Sequence, residues 1–171
     1  MQIFDGHSPS VLKKVIPVIG EMTDHNLGFT DELFNELINT VNIIYHSAAT
    51  IKFNSQLRTS IKINVVGTLR TIEFAKKLKN LSSYIYFSTA FCNCNNRGLI
   101  KERVYPSHVD PYDMMKLALS DAVLPDVDDP ELATFIKDHP NTYTFTKQLA
   151  ENLILKEMTG YPAGIVRPSV G

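Results

Sequence analysis

The alternation of short apolar runs with longer amphipathic stretches limits the folds that this chain can adopt. Four apolar runs, at 15–19, 41–46, 83–87 and 163–167, are separated by stretches in which apolar residues recur every three or four positions. The short runs are typical of buried strands, and the intervening pattern is typical of helices with one apolar face. This alternation predicts an α/β fold with a parallel sheet and right-handed crossovers.

Three of the predicted strands are followed by small or hydroxyl-bearing residues. These groups lie at 47–49, 88–90 and 168–171. In open parallel sheets, ligands bind beyond the carboxyl ends of the strands, where small side chains let a flat cofactor approach the backbone. Turns after strands also favour small residues for structural reasons, so the pattern has two explanations.

Composition excludes several classes of protein. A length of 171 residues with 44% hydrophobic content predicts one globular domain, and a net charge of -1 with scattered basic residues predicts no nucleic-acid surface. We expect no membrane segment in this chain, because no stretch approaches about 18 apolar residues. The first ten residues do not resemble a signal peptide. Cys92 and Cys94 flank a single residue without a His or Cys cluster, which favours reduced thiols of an intracellular protein and no metal site.

Tyr143 and Lys147 stand four residues apart at the start of a predicted helix over 142–159. At that spacing both side chains lie on one face of the helix. A neighbouring ammonium group favours the phenolate and lowers the pKa of a tyrosine, which can then exchange a proton with a substrate oxygen. The pair therefore predicts a proton-transfer site, although a tyrosine at a helix start can also be a partly buried structural aromatic.

A second pair with the same spacing, Tyr112 and Lys116, shows that the motif alone is weak evidence. It falls in a stretch over 99–140 that is dense in proline and aspartate. We interpret this stretch as an insertion on the substrate side of the sheet, either a lid or a solvated surface excursion. Tyr143 is the better candidate, because its helix leads directly into a predicted core strand and begins near the hydroxyl-rich end of the preceding strand.

Five segments of the chain carry a resemblance to a known family. They lie at 41–53, 63–68, 87–91, 141–147 and 165–170. In order and in spacing they resemble the extended short-chain dehydrogenase/reductase superfamily, and within it the fatty acyl-CoA reductases with a male-sterility-type NAD-binding domain. The long interval between Thr89 and Tyr143 favours these reductases over sugar epimerases or hydroxysteroid dehydrogenases. The resemblance implies a Rossmann-like sheet with flanking helices, and NADPH-dependent reduction of a fatty acyl-CoA to a primary alcohol through an aldehyde-level intermediate.

The resemblance also implies roles for individual residues. Tyr143 would donate the proton, and Lys147 would lower its pKa and hold the nicotinamide ribose. Thr89, with Ser88 as the alternative, would hydrogen-bond the developing oxyanion. Asn64 would lie in the helix that supports the lysine. The residues implied in cofactor binding are Glu21, Met22, Ala48, Ala49, Asn64, Ser88, Lys147, Pro168, Ser169 and Val170.

One departure from the family pattern concerns the glycine-rich turn that binds the cofactor pyrophosphate. None of the eight glycines forms that fingerprint. The run at 15–19 corresponds to the family's third strand, and Glu21 stands where the family usually has aspartate. We therefore expect residues 1–171 to be a partial NAD(P)-binding reductase domain that lacks the first β-α-β unit, and the chain to be a fragment. Alone, it is expected to bind NADPH weakly or not at all and to be unstable, because missing strands leave open sheet edges.

Three interpretations of the function remain open. The first is an NADPH-dependent fatty acyl-CoA reductase. The second is a reductase of the same superfamily that acts on a steroid or a carrier-bound acyl group, and the third is a non-catalytic truncated remnant. Family members are often attached to endoplasmic reticulum or peroxisome membranes, so the resemblance implies an intracellular protein in one of these compartments.

Overall fold

Three parallel strands form the sheet. In the computed structural model, which describes residues 13–137 and 139–169, they are β1 (Ile43–His46), β2 (Ser83–Phe87) and β3 (Ala163–Val166), in the order β1-β2-β3. Both neighbouring pairs are parallel, and helices occupy each connection between consecutive strands. The predicted α/β class with a parallel sheet is therefore confirmed.

Helices precede, connect and cover these strands. In the described part of the chain they are a short 3₁₀ turn (His25–Gly28), α1 (Asp31–Thr40), α2 (Leu57–Ile61), a π-helical turn (Lys62–Val66), α3 (Gly67–Lys77), α4 (Pro111–Leu119), α5 (Pro130–Phe135) and α6 (Thr142–Glu157). Four begin after a side chain whose oxygen accepts a backbone N–H of the first turn: Thr30, Asp110, Asp129 and Asn141. Pro111 and Pro130 occupy the first helical positions, where a missing N–H costs nothing. A capping aspartate followed by a proline therefore marks the start of both α4 and α5.

The apolar run at 15–19 is not a strand, and the prediction of a strand there is wrong. Residues 15–20 have no regular secondary structure, and Ile16 and Ile19 are 80% and 94% exposed. A strand needs neighbours that take up its backbone N–H and C=O groups, and none of the described strands pairs with this run. Pro17 also lacks the N–H that a sheet ladder requires.

The helices cover one face of the sheet. On β2, Tyr84 and Tyr86 belong to the core on this side and are almost fully buried. On the other face, Tyr45 of β1 is 64% exposed and Val166 of β3 is 44% exposed. Helix α6 lies on the covered side, and its residues 144–151 are all buried. This packing holds the start of α6 firmly at the carboxyl end of β2.

The helical parts of the insertion over 99–140 pack against the same core. Their buried apolar side chains are Met114, Met115, Ala118, Leu132 and Ile136. The guanidinium of Arg58 in α2 donates to the backbone oxygens of Ala118 (2.7 Å) and Ser120 (2.6 Å) at the end of α4. These carbonyls are among those that a helix end leaves without an internal partner. The insertion helices are therefore anchored to the domain and are not a solvated excursion.

Candidate active site

Tyr143 and Thr89 lie close to each other at the carboxyl edge of the sheet. Thr89 lies two residues after β2, and Tyr143 is the second residue of α6, with its ring centroid 5.6 Å from that of Phe53. Burial raises the pKa of the half-buried Tyr143 phenol, and a hydrogen bond with Thr89 partly opposes this shift. The pKa is raised overall, so the phenol carries its proton at neutral pH.

Lys147, one helical turn further along α6, is buried and only 2% exposed. Its Nζ donates a hydrogen bond of 2.5 Å to the backbone oxygen of Phe87 and lies 4.2 Å from the centroid of the Tyr86 ring. Burial lowers the pKa of Lys147 to about 8, while Glu151 and Cys92 act in the opposite direction. Lys147 is thus an ammonium group that is easier to deprotonate than an ordinary lysine.

The predicted effect of Lys147 on the phenol is not found. Burial raises the pKa of Tyr143, and the ammonium group is engaged by the Phe87 carbonyl and the face of the Tyr86 ring. A buried ammonium requires a hydrogen-bond acceptor, and the fixed carbonyl at the end of β2 supplies one. The expectation that Lys147 lowers the pKa of Tyr143 is therefore wrong, because spacing alone reveals neither burial nor this competing acceptor.

Asn64 connects the loop after β1 to α6. Its Oδ1 accepts the N–H of Thr50 (2.9 Å), and its Nδ2 donates to the hydroxyl of Thr146 (2.9 Å), which adjoins Lys147. Asn64 lies in the π-helical turn, a rare widening of a helix that is frequent at functional sites. The sequence pattern predicted a continuous regular helix here and contains no signal for this turn.

Ser88 and Thr89 occupy different environments. Ser88 is 5% exposed, and its Oγ makes no hydrogen bond of ordinary geometry, but it is near enough to the Cys92 thiol to lower the pKa of that group. Thr89 instead interacts with Tyr143. The geometry therefore favours Thr89 over Ser88 as the hydroxyl that acts together with Tyr143, and the assignment of either remains a prediction.

The predicted cofactor-binding residues after β1 and β3 lie at the same sheet edge. Those that the structure describes are Ala48, Ala49, Pro168 and Ser169, and Val170 lies outside the described residues. The Pro168 oxygen accepts a hydrogen bond of 3.0 Å from Ala90 N, which joins the segment after β3 to the turn after β2. Ala48, Pro168 and Ser169 are exposed. Their small or compact side chains leave the backbone open to a ligand.

Glu21 and Met22 lie near the start of α3. The Glu21 carboxylate accepts hydrogen bonds from Thr23 N (3.1 Å) and Thr23 Oγ1 (3.0 Å), and these bonds lower its pKa. Met22 packs on Gly67, where an added Cβ would stand 2.8 Å from the Met22 methyl carbon. Gly67 follows Asn64 by three residues, so Met22 reaches the helix segment that supports the site.

A buried polar network behind the site was missed by the sequence analysis. Glu151 is fully buried and pairs with Arg167, and Cys92 donates to the same carboxylate. The network continues through Gln148, whose Nε2 donates to the side-chain oxygen of Asn93 (3.0 Å). A signal was available, because Glu151 stands four residues after Lys147 and therefore on the same face of the helix.

The groups at this edge suit a nicotinamide cofactor. An ammonium group has three N–H donors, and among the described residues Phe87 O takes one of those of Lys147. The remaining donors of Lys147 and the half-exposed phenol of Tyr143 match the hydroxyl groups of a ribose. The exposed Ala48 offers close approach to the backbone at the neighbouring strand end.

The sheet, with its flanking helices and the candidate site at its carboxyl edge, defines a Rossmann-like α/β domain. Solved structures share this fold. The terminal R domain from the myxalamid PKS-NRPS biosynthetic pathway superposes with a TM-score of 0.66 at 20% identity, over 97% of this chain and 36% of that one. RMD from Pseudomonas aeruginosa complexed with NADPH gives a TM-score of 0.54 at 18% identity, over 91% of this chain and 43% of that one.

Residues 1–170 match the NAD-binding family described as "Male sterility protein", and the chain belongs to this family. It is 60% identical over 168 residues to "Putative fatty acyl-CoA reductase CG8303" of Drosophila melanogaster, and this match covers 98% of this chain and 31% of that protein. It is 37% identical to "Fatty acyl-CoA reductase 1" of Homo sapiens, over 95% of this chain and 31% of that protein. The chain therefore spans about a third of the length of the curated relatives it matches.

Two further properties concern the described residues only. No helix there combines the length and apolar character needed to cross a membrane. No group of three or more His, Cys, Asp or Glu side chains in that part of the chain is arranged to hold a metal ion.

Proposed function

We propose that the complete natural protein carrying this chain reduces a fatty acyl-CoA with NADPH, through an aldehyde-level intermediate, to a primary alcohol. One observation carries the proposal: Tyr143 lies beside Thr89 at the carboxyl edge of the sheet, one helical turn from the buried Lys147. Membership of an NAD-binding family and relatives named fatty acyl-CoA reductase support it.

Tyr143 is the proton donor in this proposal. A reduction requires a proton on the carbonyl oxygen of the substrate, and a phenol with a raised pKa is protonated at neutral pH and available to give it. Thr89 lies beside the phenol and hydrogen-bonds the oxygen as negative charge develops on it. The two hydroxyl groups therefore hold one oxygen atom from two sides.

Lys147 has a binding role and an electrostatic role. Its N–H groups hold the ribose of the cofactor, and its positive charge favours negative charge on neighbouring oxygens. The segments at Ala48, Ala49, Pro168 and Ser169 border the cofactor at the same edge. The bound NADPH supplies the hydride, and the chain supplies position and the proton.

The substrate is proposed from the relatives' names and is tested directly. The complete natural protein, incubated with NADPH and a long-chain acyl-CoA, is expected to form the primary alcohol, with the aldehyde trapped when hydrazine is present. Parallel assays offer a carrier-bound acyl group, a steroid and NADH. Turnover of either alternative substrate in place of acyl-CoA would overturn the substrate assignment. Absence of turnover with the acyl-CoA, the carrier-bound acyl group and the steroid would favour a non-catalytic remnant.

The catalytic assignment is tested with a matched pair of substitutions. Tyr143→Phe is expected to lower turnover by about 10²–10⁴-fold, the usual contribution of a positioned proton donor. Tyr112→Phe removes the same atom from the second pair and is expected to leave turnover unchanged. Equal activity of both variants would contradict the assignment of Tyr143.

A further inference from the structure

Glu151 is a buried carboxylate that the proposed reaction does not use. Its side chain is fully buried, one helical turn beyond Lys147 on α6. Arg167, the residue after β3, binds it through two hydrogen bonds, from Nε to Oε1 (2.7 Å) and from a terminal nitrogen to Oε2 (2.6 Å). Apolar residues of similar volume are often as stabilising as a buried ion pair, so stability alone does not explain the pair.

The same carboxylate reaches the turn that carries Thr89. Cys92 Sγ donates to Oε1 of Glu151 (3.1 Å), and Cys92 lies three residues after Thr89. Within this turn, Cys92 N donates to the Thr89 backbone oxygen (3.3 Å), and Phe91 N donates to the Thr89 hydroxyl (3.2 Å). Glu151 is therefore joined to the Thr89 hydroxyl through one short turn of backbone.

A neutral contact connects this turn to α6 at a neighbouring point. Asn93 Oδ1 accepts a hydrogen bond of 3.0 Å from Gln148 Nε2, and Gln148 Oε1 lies 3.2 Å from Nε2 of His139. The turn after β2 is thus held to α6 at two successive residues. Of these two ties, only the one to Glu151 includes a charged group.

The titratable groups around Lys147 come from three parts of the fold. From β1, His46 faces it with a pKa lowered to about 4 and is neutral at pH 7. From β2 and its turn, Tyr86 has a strongly raised pKa and Cys92 has a pKa raised to about 12, so both are neutral as well. From α6, Glu151 provides a negative charge that raises the pKa of Lys147 against the effect of burial.

We propose that Glu151 is a positioning residue of the reductase site, whose Arg167-bound carboxylate fixes the Thr89 turn on α6 and keeps the Lys147 ammonium charged. The inference rests on the proposed function for its effect on turnover. Its effect on the Lys147 ammonium does not depend on which substrate the protein takes.

The test uses the complete natural protein with a charge-removing change and an apolar replacement of the pair. Glu151→Gln removes the charge and keeps the shape. Glu151→Leu combined with Arg167→Met removes the whole pair, and replacement of a buried pair by apolar residues usually preserves folding. Glu157→Gln is the matched control, since Glu157 forms an ion pair with Lys76 (2.6 Å) at the far end of the same helix.

Two readouts separate positioning from simple stabilisation. In both Glu151 variants, kcat is expected to fall by about 10-fold to 100-fold, while KM stays within about twofold of the value for the unaltered protein. A loss of this size is expected when a reacting group is misplaced by about 1 Å. The alkaline limb of the pH–rate profile is expected to move to lower pH, because Lys147 loses its proton more easily without Glu151. The Glu157→Gln control is expected to show neither change.

A third readout is independent of activity. The titration of Lys147, followed by NMR of ¹³Cε-labelled lysine and assigned with Lys147→Met, is expected to move to lower pH in both Glu151 variants. If the protein proves not to be a reductase, this titration still decides the inference. An unchanged Lys147 titration in whichever Glu151 variant folds would overturn the proposal, as would normal kcat in that variant when the unaltered protein is active.

Discussion

Two tyrosine–lysine pairs with the same spacing occupy the same position in two helices. Tyr112 is the second residue of α4 and Tyr143 the second residue of α6, and each helix begins after a capping Asp or Asn side chain. Lys116 is exposed to solvent, whereas Lys147 is 2% exposed. Local structure is therefore nearly the same in both pairs, and the differences lie in what surrounds them.

The surroundings give the two tyrosines different chemistry. The Tyr112 hydroxyl donates to the Glu157 carboxylate, and its ring lies 5.5 Å from Lys156 Nζ. Glu157 is fourteen residues beyond Tyr143, about 21 Å along the axis of α6. Tyr112 thus belongs to a surface cluster at the far end of the helix, while Tyr143 stands next to Thr89 at the sheet edge. Motif spacing selects candidates, and burial and neighbours distinguish them.

The comparison is tested most severely by changing the two lysines. In the complete natural protein, Lys147→Met is expected to lower turnover by about 10²–10⁴-fold, because it removes the ammonium group that we propose holds the cofactor ribose and favours negative charge on neighbouring oxygens. Lys116→Met is expected to leave turnover unchanged, and as a surface substitution to alter stability by less than about 0.5 kcal/mol. Steady-state rates with acyl-CoA and NADPH measure both. Comparable losses in the two variants would remove the distinction between the pairs.

Much of the fold followed from local sequence signals. The strand at 83–87 was predicted from its apolar pattern, and it is present as β2. The prediction of a strand at 15–19 was wrong, because a strand depends on neighbouring strands that a local pattern does not reveal. Strands pair with partners that are distant in the sequence, whereas helices are stabilised by local contacts. The element that was wrongly predicted was therefore a strand and not a helix.

The site was only partly accessible from sequence for a similar reason. The candidate site residues could be placed together at the carboxyl edge of the sheet, because parallel strands align their carboxyl ends. The shift in the pKa of Tyr143 was predicted in the wrong direction, because desolvation depends on packing and not on spacing. The π-helical turn at Asn64 and the Glu151–Arg167 pair depend on contacts between elements far apart in the chain, and the periodic pattern does not encode them.

The burial of Lys147 predicts an unusual pH dependence of stability. Its folded pKa of about 8 lies below the ordinary value of 10.5, so between these limits the folded state binds fewer protons than the unfolded state. The contribution of this group to the free energy of unfolding therefore rises with pH through that window, by about 3 kcal/mol. Below about pH 8 the lysine is charged in both states, and the penalty for burying it applies in full.

The measurement is a difference between variants. Lys147→Met is expected to be more stable than the unaltered protein at pH 7, and this advantage is expected to shrink as the pH is raised to 10. Taking the difference cancels the titration of other groups, and Lys116→Met serves as the exposed control with no such trend. Denaturant unfolding at several pH values supplies the data. A difference that stays constant over this range would mean that Lys147 is solvated.

The smallest expected effect concerns the surface pair and measures how little its hydrogen bond contributes. Tyr112→Phe removes the bond to Glu157, a carboxylate that also pairs with Lys76 and so keeps a partner. The loss of stability is expected to be about 0.5 kcal/mol, because Tyr112 is 40% exposed and water replaces the lost donor. A double-mutant cycle of Tyr112→Phe with Glu157→Gln measures the coupling between the two groups. A coupling above about 2 kcal/mol would place this pair among buried interactions and would contradict the contrast with Tyr143.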